Sequence, residues 1–555
     1  MKKILTCIVL AFAASGLAGC YEDKSTYATD QIPDIVLTDT ETTSIYTGYL
    51  EQIDFAPELT QGGKVLEDND NYTYTWELNE VPDENQFQTI STERELHVTV
   101  PNGISTTPYL LKLTVKDTEN DLEYLFWWDL YIQSAFLDGL VISDTKDGAT
   151  SDLTLVLNQK LTTNYAGKEE KIFRNILASG SSAAAYPGLL SSLTPMLYGY
   201  IYSKAKHYLW ATDQNGELVR FNCEDYTVAS GEDVLLYASE GQEFYKLFGT
   251  GNNYACQTLM IAMSNAGNYC IQCVSTEVFS WPNTAMNASS MKNGICASRS
   301  YSANNECIAA WLDEKTNKLI VADAYFGGYL TYNTITGSGA YDADNLGDQQ
   351  VIAAGMTYTE NIPALLLKDN AGTYAIYTIT PHQAEEGYYT DPDNWEGWVV
   401  TSPEIPYGPR ARIEIPAEGK ALLDQATGTA FCTMQAILYV ATADGIYAID
   451  FASGKAVVSD VKFTPDAGEK ITSVKLYQQG QYQYSSGMCG DGEDQYRELL
   501  DWTNYAVIVT TQKSDTEGCV YVVPMTQIGT GNLDKAQALK YDGFGKILDV
   551  TTTGY

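Results

Sequence analysis

The chain has 555 residues, 45% of them hydrophobic, enough for packed cores and, at this length, for at least two domains. Its formal charge of −38, from 71 acids against 33 lysines and arginines, would repel phosphate backbones and excludes nucleic acid as a natural partner. The acids are dispersed rather than blocked, so global disorder is excluded too.

In chain order, Lys2 and Lys3 open a short basic segment, Ile4 to Ala14 an apolar one, and Leu17-Ala18-Gly19-Cys20 reads as a lipobox. Residues 1–19 are therefore predicted to be a lipoprotein signal peptide, with the lipid carried on the thiol of Cys20. The apolar run is too short to span a bilayer, and no later stretch offers about 18 consecutive apolar residues, so a tethered protein is expected. Residues 20–34 form an acidic tether. Glu22 and Asp23, just after the lipidated cysteine, resemble the surface-export signal of Bacteroidetes lipoproteins. That resemblance implies an outer-membrane anchor facing the exterior; a solvated acidic tether on a periplasmic protein would read alike.

From residue 35 to 134 the pattern is β. Tyr72, Tyr74 and Trp76 alternate with threonines, Leu96, Val98 and Val100 alternate again, and Tyr109, Leu111, Leu113 and Val115 do so a third time. Period-two alternation with turns such as Asp68-Asn69-Asp70 between predicts half-buried antiparallel strands and hence a sandwich. Tyr74-x-Trp76 followed by Tyr109-x-Leu111-x-Leu113-x-Val115-x-Asp117 resembles the immunoglobulin-like domain of the polycystic-kidney-disease (PKD) type. Glu77-Leu78-Asn79 stands where that domain usually has Gly-Asp, which makes the module PKD-like rather than standard.

From residue 136 to 555 a loose repeat takes over: an apolar strand, a polar turn usually carrying glycine, and a second strand rich in Tyr, Leu and Val. The copies begin at Leu140, Tyr208, Leu259, Leu319, Leu365, Leu438 and Val507. Seven hairpins predict a β-propeller with seven blades, because only a ring of blades buries both apolar faces of each one. Gly545 to Val550 is the candidate strand that closes the ring beside the blade begun at Leu140. Leu189 to Tyr202 does not fit the repeat and reads as a helical or loop insertion.

Taken together, the lipobox, the start Cys20-Tyr21-Glu22-Asp23-Lys24, the PKD-like module and the propeller opening at Gly139-Leu140-Val141-Ile142-Ser143 resemble the PKD-like family lipoproteins of Bacteroidetes. The resemblance implies an all-β protein encoded beside a SusC-like transporter and a SusD-like lipoprotein, and a part in capturing peptide or glycan nutrients. It supplies no catalytic residues.

The residues themselves argue against catalysis. The three histidines, His97, His207 and His382, fall in different elements, and there is no G-x-S-x-G, Walker or dinucleotide motif. No enzyme is expected; the alternative is a propeller glycoside hydrolase or lyase that converges carboxylates at the central funnel. Cys270 and Cys273 have CxxC spacing, but in a strand residues three apart point to opposite faces, so buried thiols are expected. Disulfides among Cys223, Cys256, Cys296, Cys307, Cys432, Cys489 and Cys519 cannot be connected from spacing. Asp342, Asp344 and Asp348 are spaced like calcium ligands, with Leu346 interrupting the pattern and Ala353 in place of the final glutamate, so an acidic turn is the preferred reading and no cofactor is expected. Forty-one tyrosines exceed what strand cores need. Tyr388, Tyr389, Trp395 and Trp398, and then Tyr482, Tyr484 and Tyr496, stand in polar, glycine-bearing surroundings that suit stacking on sugars or clamping peptide side chains. The function expected is that of a surface lipoprotein, accessory to a SusC/SusD-type importer, that binds oligopeptide or glycan or docks on the transporter.

Overall fold

A computed structural model describes residues 32–100, 102–105, 107–136, 138–163, 165–180, 183–198, 206–250, 259–272, 277–280, 294–297, 307–313, 315–325, 329–358, 362–479 and 500–553. The signal peptide and the export residues Cys20, Glu22 and Asp23 lie outside them. The chain divides into two compact units, one of residues 1–45, 53–98 and 109–130, the other of 46–52, 99–108 and 131–555. Among the described residues no helix is long and apolar enough to cross a membrane.

The first unit is the predicted sandwich. Tyr72–Asn79 pairs antiparallel with Tyr109–Asp117, which pairs with Leu122–Gln133. Tyr109, Leu111, Leu113 and Val115 are all buried while the residues between them are not, as the alternation requires. Trp76 is fully buried, 5.7 Å from the Trp128 ring and 6.1 Å from Phe55, and its indole N–H donates to Glu93 O at 3.0 Å. Asn79, one of the residues that depart from the PKD pattern, is also fully buried. Its side chain donates to Val81 O and Glu84 O and accepts from Leu110 N–H at 2.7 Å, so it ties the next turn to the neighbouring strand.

The second unit is the propeller. Among the described residues it contains seven successive blade-like sheets, each built around one of the seven hairpins of the sequence. The middle strands, such as Leu140–Thr145, Asp152–Leu157 and Ile437–Thr442, are buried along almost their whole length. A strand covered on both faces by neighbouring sheets reads as a continuous apolar run, which is why these hairpins stand out in the sequence. Apolar layers fill the gaps between consecutive sheets: Trp210 and Phe244 in one, Leu312 and Leu365 in another, Val440 and Ile376 in a third.

Lys546–Thr552 closes the ring as expected, antiparallel to Leu140–Thr145, with Val550 opposite Ile142 and Thr552 opposite Leu140. The insertion expected over Leu189 to Tyr202 is corrected. Ser191–Tyr198 is the first strand of the second sheet, paired with Lys206–Thr212. Pro195 obscures it in the sequence, yet a sheet's edge strand tolerates proline because it has only one hydrogen-bonded side.

Among the described residues fourteen tyrosines are buried in the core. Tyr269, Tyr439 and Tyr477 are fully buried, and Tyr521 and Tyr541 nearly so, with their hydroxyls donating to Glu469 at 2.7 Å and Glu170 at 3.0 Å. At Tyr521 and Tyr541 a long side chain with a polar tip fills the layer between sheets and still finds a partner at its end, whereas the buried Tyr439 hydroxyl has none among the described residues.

At the ring closure Asp144 is buried, and its carboxylate accepts Gly545 N–H at 2.7 Å. Burial pushes its pKa up and nearby Asp152 adds to this, against the pull of the Gly545 amide, Lys146 and Arg174. An acid with a raised folded pKa opposes folding when ionised, and this penalty disappears as pH falls through the raised value. Asp144→Asn keeps an acceptor for Gly545. It is expected to raise Tm at pH 7 by about 1–2 °C and to remove part of the gain the native chain shows on acidification from neutral pH. Calorimetry across pH checks this, and a lower Tm for the variant at pH 7 would contradict it.

Candidate functional site

In the fifth sheet, Tyr374–Thr380 pairs directly with Gly408–Glu414, so residues 381–407 leave the sheet and return. They form a hairpin of Glu386–Asp391 and Glu396–Ser402, a two-stranded sheet of its own. Its base is held by backbone bonds between Gln383 and Ile405 and by the Tyr407 hydroxyl, which donates to Asp323 on the fourth sheet. His382 lies against Tyr407 and pairs with Glu404 at 3.0 Å.

The sequence forms a hairpin here because the turn is well specified. Asp391 accepts from Asn394 N–H and Nδ2, and Trp395 and Gly397 adopt positive φ of 55° and 70° around the reversal. The left-handed backbone at Trp395 brings its ring within 5.3 Å of Tyr389. Tyr389 is paired across the strands with Trp398, ring to ring at 4.8 Å. Gly387 makes room for the indole, since a Cβ there would sit 2.6 Å from it. The Trp398 N–H donates to Glu385 at 2.8 Å.

This aromatic group faces solvent. Trp395 is 73% exposed, Tyr388 55% and Trp398 42%, whereas Trp76, Trp210 and Trp311 are fully buried. The structure thus gathers Tyr389, Trp395 and Trp398 into one cluster, with Tyr388 on the other face of the same hairpin, opposite Val399. Tyr482, Tyr484 and Tyr496 lie outside the described residues.

The acidic turn is not arranged as a metal site. Asp344 accepts Gly337 N–H and pairs with Lys318 at 3.0 Å, Asp342 accepts from Asp344 N–H and Asn345, and Asp348 accepts from Asn317 and Asn370. These oxygens are occupied in different directions, and Leu346, where the spacing interrupts, is a core residue. Among the described residues no three His, Cys, Asp or Glu side chains are placed to hold a metal ion.

Each histidine has its own acidic neighbour: His97 has Asp54, His207 has Asp138 and His382 has Glu404. Cys223, Cys296, Cys432 and Cys519 are free thiols, with burial pushing Cys296 up to about 12 and Cys432 up to about 11. Cys270 falls in the strand Asn268–Gln272, in line with the strand expected there, and Cys273 lies outside the described residues.

The propeller axis holds a cavity of about 270 Å³ that nothing in the sequence marked, because its walls come from strands scattered over some 360 residues. Its charged lining is Lys246, Lys475 and Asp549. Asp549 pairs with Lys475 and accepts Leu193 N–H at 2.8 Å. Burial pushes this carboxyl up, but Lys475 and Lys246 outweigh it and hold the pKa below the ordinary range. Among the described residues this lining carries one acid, and it is engaged with lysine.

The fold is thus all-β, a PKD-like sandwich followed by a β-propeller. The model of the PKD-like family matches residues 20–183, the sandwich and the opening of the propeller. No curated protein matches the sequence. Among solved structures, a quinoprotein alcohol dehydrogenase-like protein from Bacteroides thetaiotaomicron aligns over 94% of this chain and 100% of its own, at 13% identity and a TM-score of 0.41. AztD from Citrobacter koseri aligns over 87% and 98% at 9% identity and 0.34. A DUF4784 family protein from Bacteroides caccae aligns over 94% and 99% at 9% identity and 0.27. With identities and scores this low, none of these likenesses bears on what the chain binds or does.

Proposed function

We propose that this chain is a lipid-anchored protein of the outer-membrane surface, accessory to a SusC/SusD-type importer. Its propeller would present the hairpin 381–407 to oligopeptide or glycan nutrients or to the transporter. The observation that carries the reading is the exposed cluster of Tyr389, Trp395 and Trp398, flanked by carboxylates on a hairpin outside the propeller core. Flat apolar faces beside hydrogen-bonding groups match sugar rings and peptide side chains, and a rigid scaffold carrying variable connections is the usual platform for recognition. The lipobox supports the anchor, and the match of residues 20–183 supports the likeness to PKD-like lipoproteins from which the importer context is proposed.

Two measurements test this. Gentle solubilisation of the native lipidated protein from outer membranes, followed by mass spectrometry, is expected to recover SusC-like and SusD-like partners in stoichiometric amount; recovery of the protein alone would sink the accessory role. On peptide and glycan arrays the triple variant Tyr389→Ala, Trp395→Ala, Trp398→Ala is expected to lose binding by about tenfold or more, as removal of anchoring aromatics does. Undiminished binding would move the site elsewhere.

A further inference from the structure

The same hairpin carries a second property, its charge. Between Pro381 and Tyr407 there are six acids, Glu385, Glu386, Asp391, Asp393, Glu396 and Glu404, and no lysine or arginine. Their polar partners on the hairpin are the Trp398 indole, Asn394 and His382. Asp391 and Glu396 stand directly opposite one another across the two strands. Like charges in that position destabilise a strand pair, and bonds from Asn394 hold the Asp391 carboxyl below its ordinary range, so the repulsion persists at neutral pH. A cation from outside would relieve it.

The backbone points the same way. The strand Glu396–Ser402 is exposed at every residue, and its sheet has two strands among the described residues, so among these one side of it has no strand partner. Its run Gly397-Trp398-Val399-Val400-Thr401-Ser402 carries no charge and no proline. Proteins commonly protect such edges with lysine, proline or bulges; here the register shifts once, between Val400 and Ser402, and the regularly paired run Gly397 to Val400 remains an apolar template for an added strand.

We infer that the occupant of this hairpin is a cationic oligopeptide in extended form. It adds along the edge of Glu396–Ser402 and places lysine or arginine side chains against the carboxylates and over the faces of Trp395 and Trp398. The inference rests on the reading of the hairpin as a recognition face and names its ligand class. The peptide backbone supplies the strand hydrogen bonds, and the cations supply selectivity through ion pairing and attraction to the indole faces.

The test titrates the mature full-length protein in detergent with three probes: a capped peptide alternating lysine with valine, the same peptide with glutamate for lysine, and the lysine peptide N-methylated at alternate residues. Maltoheptaose serves as a neutral oligosaccharide control. The lysine peptide is expected to bind, and to weaken about tenfold as salt is raised from about 0.05 to about 0.5 M. The glutamate and N-methylated peptides are expected not to bind. The double variant Asp393→Lys, Glu396→Lys changes two exposed side chains and is expected to abolish binding of the lysine peptide without lowering Tm, since a lysine opposite Asp391 replaces a repulsion by an attraction. Equal binding of the lysine and glutamate peptides, or indifference to N-methylation, overturns the inference. Binding of maltoheptaose at Trp395 and Trp398 with no peptide binding overturns it while sparing the recognition face. No binding of any probe counts against both.

Discussion

Ending the chain after Gly545 is expected to abolish cooperative folding of the propeller. The missing strand, Lys546–Thr552, comes from the far end of the chain and pairs with Leu140–Thr145 across some 400 residues. Its loss removes Val550 from an apolar layer that also holds Leu140, Ile142, Val156, Ile508 and Val522. It also removes Asp549, whose carboxylate accepts Leu193 N–H and pairs with Lys475, and Thr553, which bonds both backbone groups of Gly139. Lys475 would face the axial cavity without its counter-ion, and Leu140–Thr145 would become an open apolar edge prone to pairing between molecules. The expected result by calorimetry and light scattering is a broad, non-cooperative transition with association. A circular permutant that joins the strand directly to the blade begun at Leu140 is expected to fold. If the truncated chain instead unfolds at the native midpoint, closure contributes nothing.

In the sandwich, Trp76→Ala is expected to cost about 3–5 kcal/mol, the range for deleting a fully buried large aromatic side chain. The cavity would lie against Trp128 and Phe55, both within ring contact of Trp76, and the bond to Glu93 O would be lost. For a module of about 100 residues with a stability of roughly 5–15 kcal/mol this is a large fraction of the total. Hydrogen exchange on the full chain reads it locally. Tyr72–Asn79 and Tyr109–Asp117 should exchange far faster, while strands such as Ile437–Thr442 keep their protection. Trp76→Phe retains most of the volume and should cost markedly less. Unchanged exchange in Trp76→Ala would mean that these two strands do not depend on the indole.

Much of this was legible in local patterns, and the failures have physical causes. The alternation at Tyr109 to Val115 shows because one face of that strand meets a core and the other does not. The seven hairpins show because their strands are covered on both faces. The exposure of the aromatics from Tyr388 to Trp398 was legible because most of their neighbours are Asp, Glu, Asn and Gly; that they stand on two paired strands rather than in loops was not. Ser191–Tyr198 was missed because serines, threonine and proline hide an edge strand whose side chains need not all be apolar. Which tyrosines are core was not legible, because composition counts side chains without showing how deep the layers between sheets are.

The amino-acid sequence by itself determined the alternating strands of the sandwich, the seven buried hairpins and which end closes the ring, since these follow from periodicity, backbone preference and burial over a few neighbouring residues. Only the tertiary structure decided that Lys246, Lys475 and Asp549 share one cavity, that the Asp342 loop spends its oxygens on Lys318 and backbone amides, and that Tyr389, Trp395 and Trp398 meet on one face. Those outcomes depend on the curvature of a closed ring and on the left-handed turn at Trp395, which bring together groups that no local pattern relates.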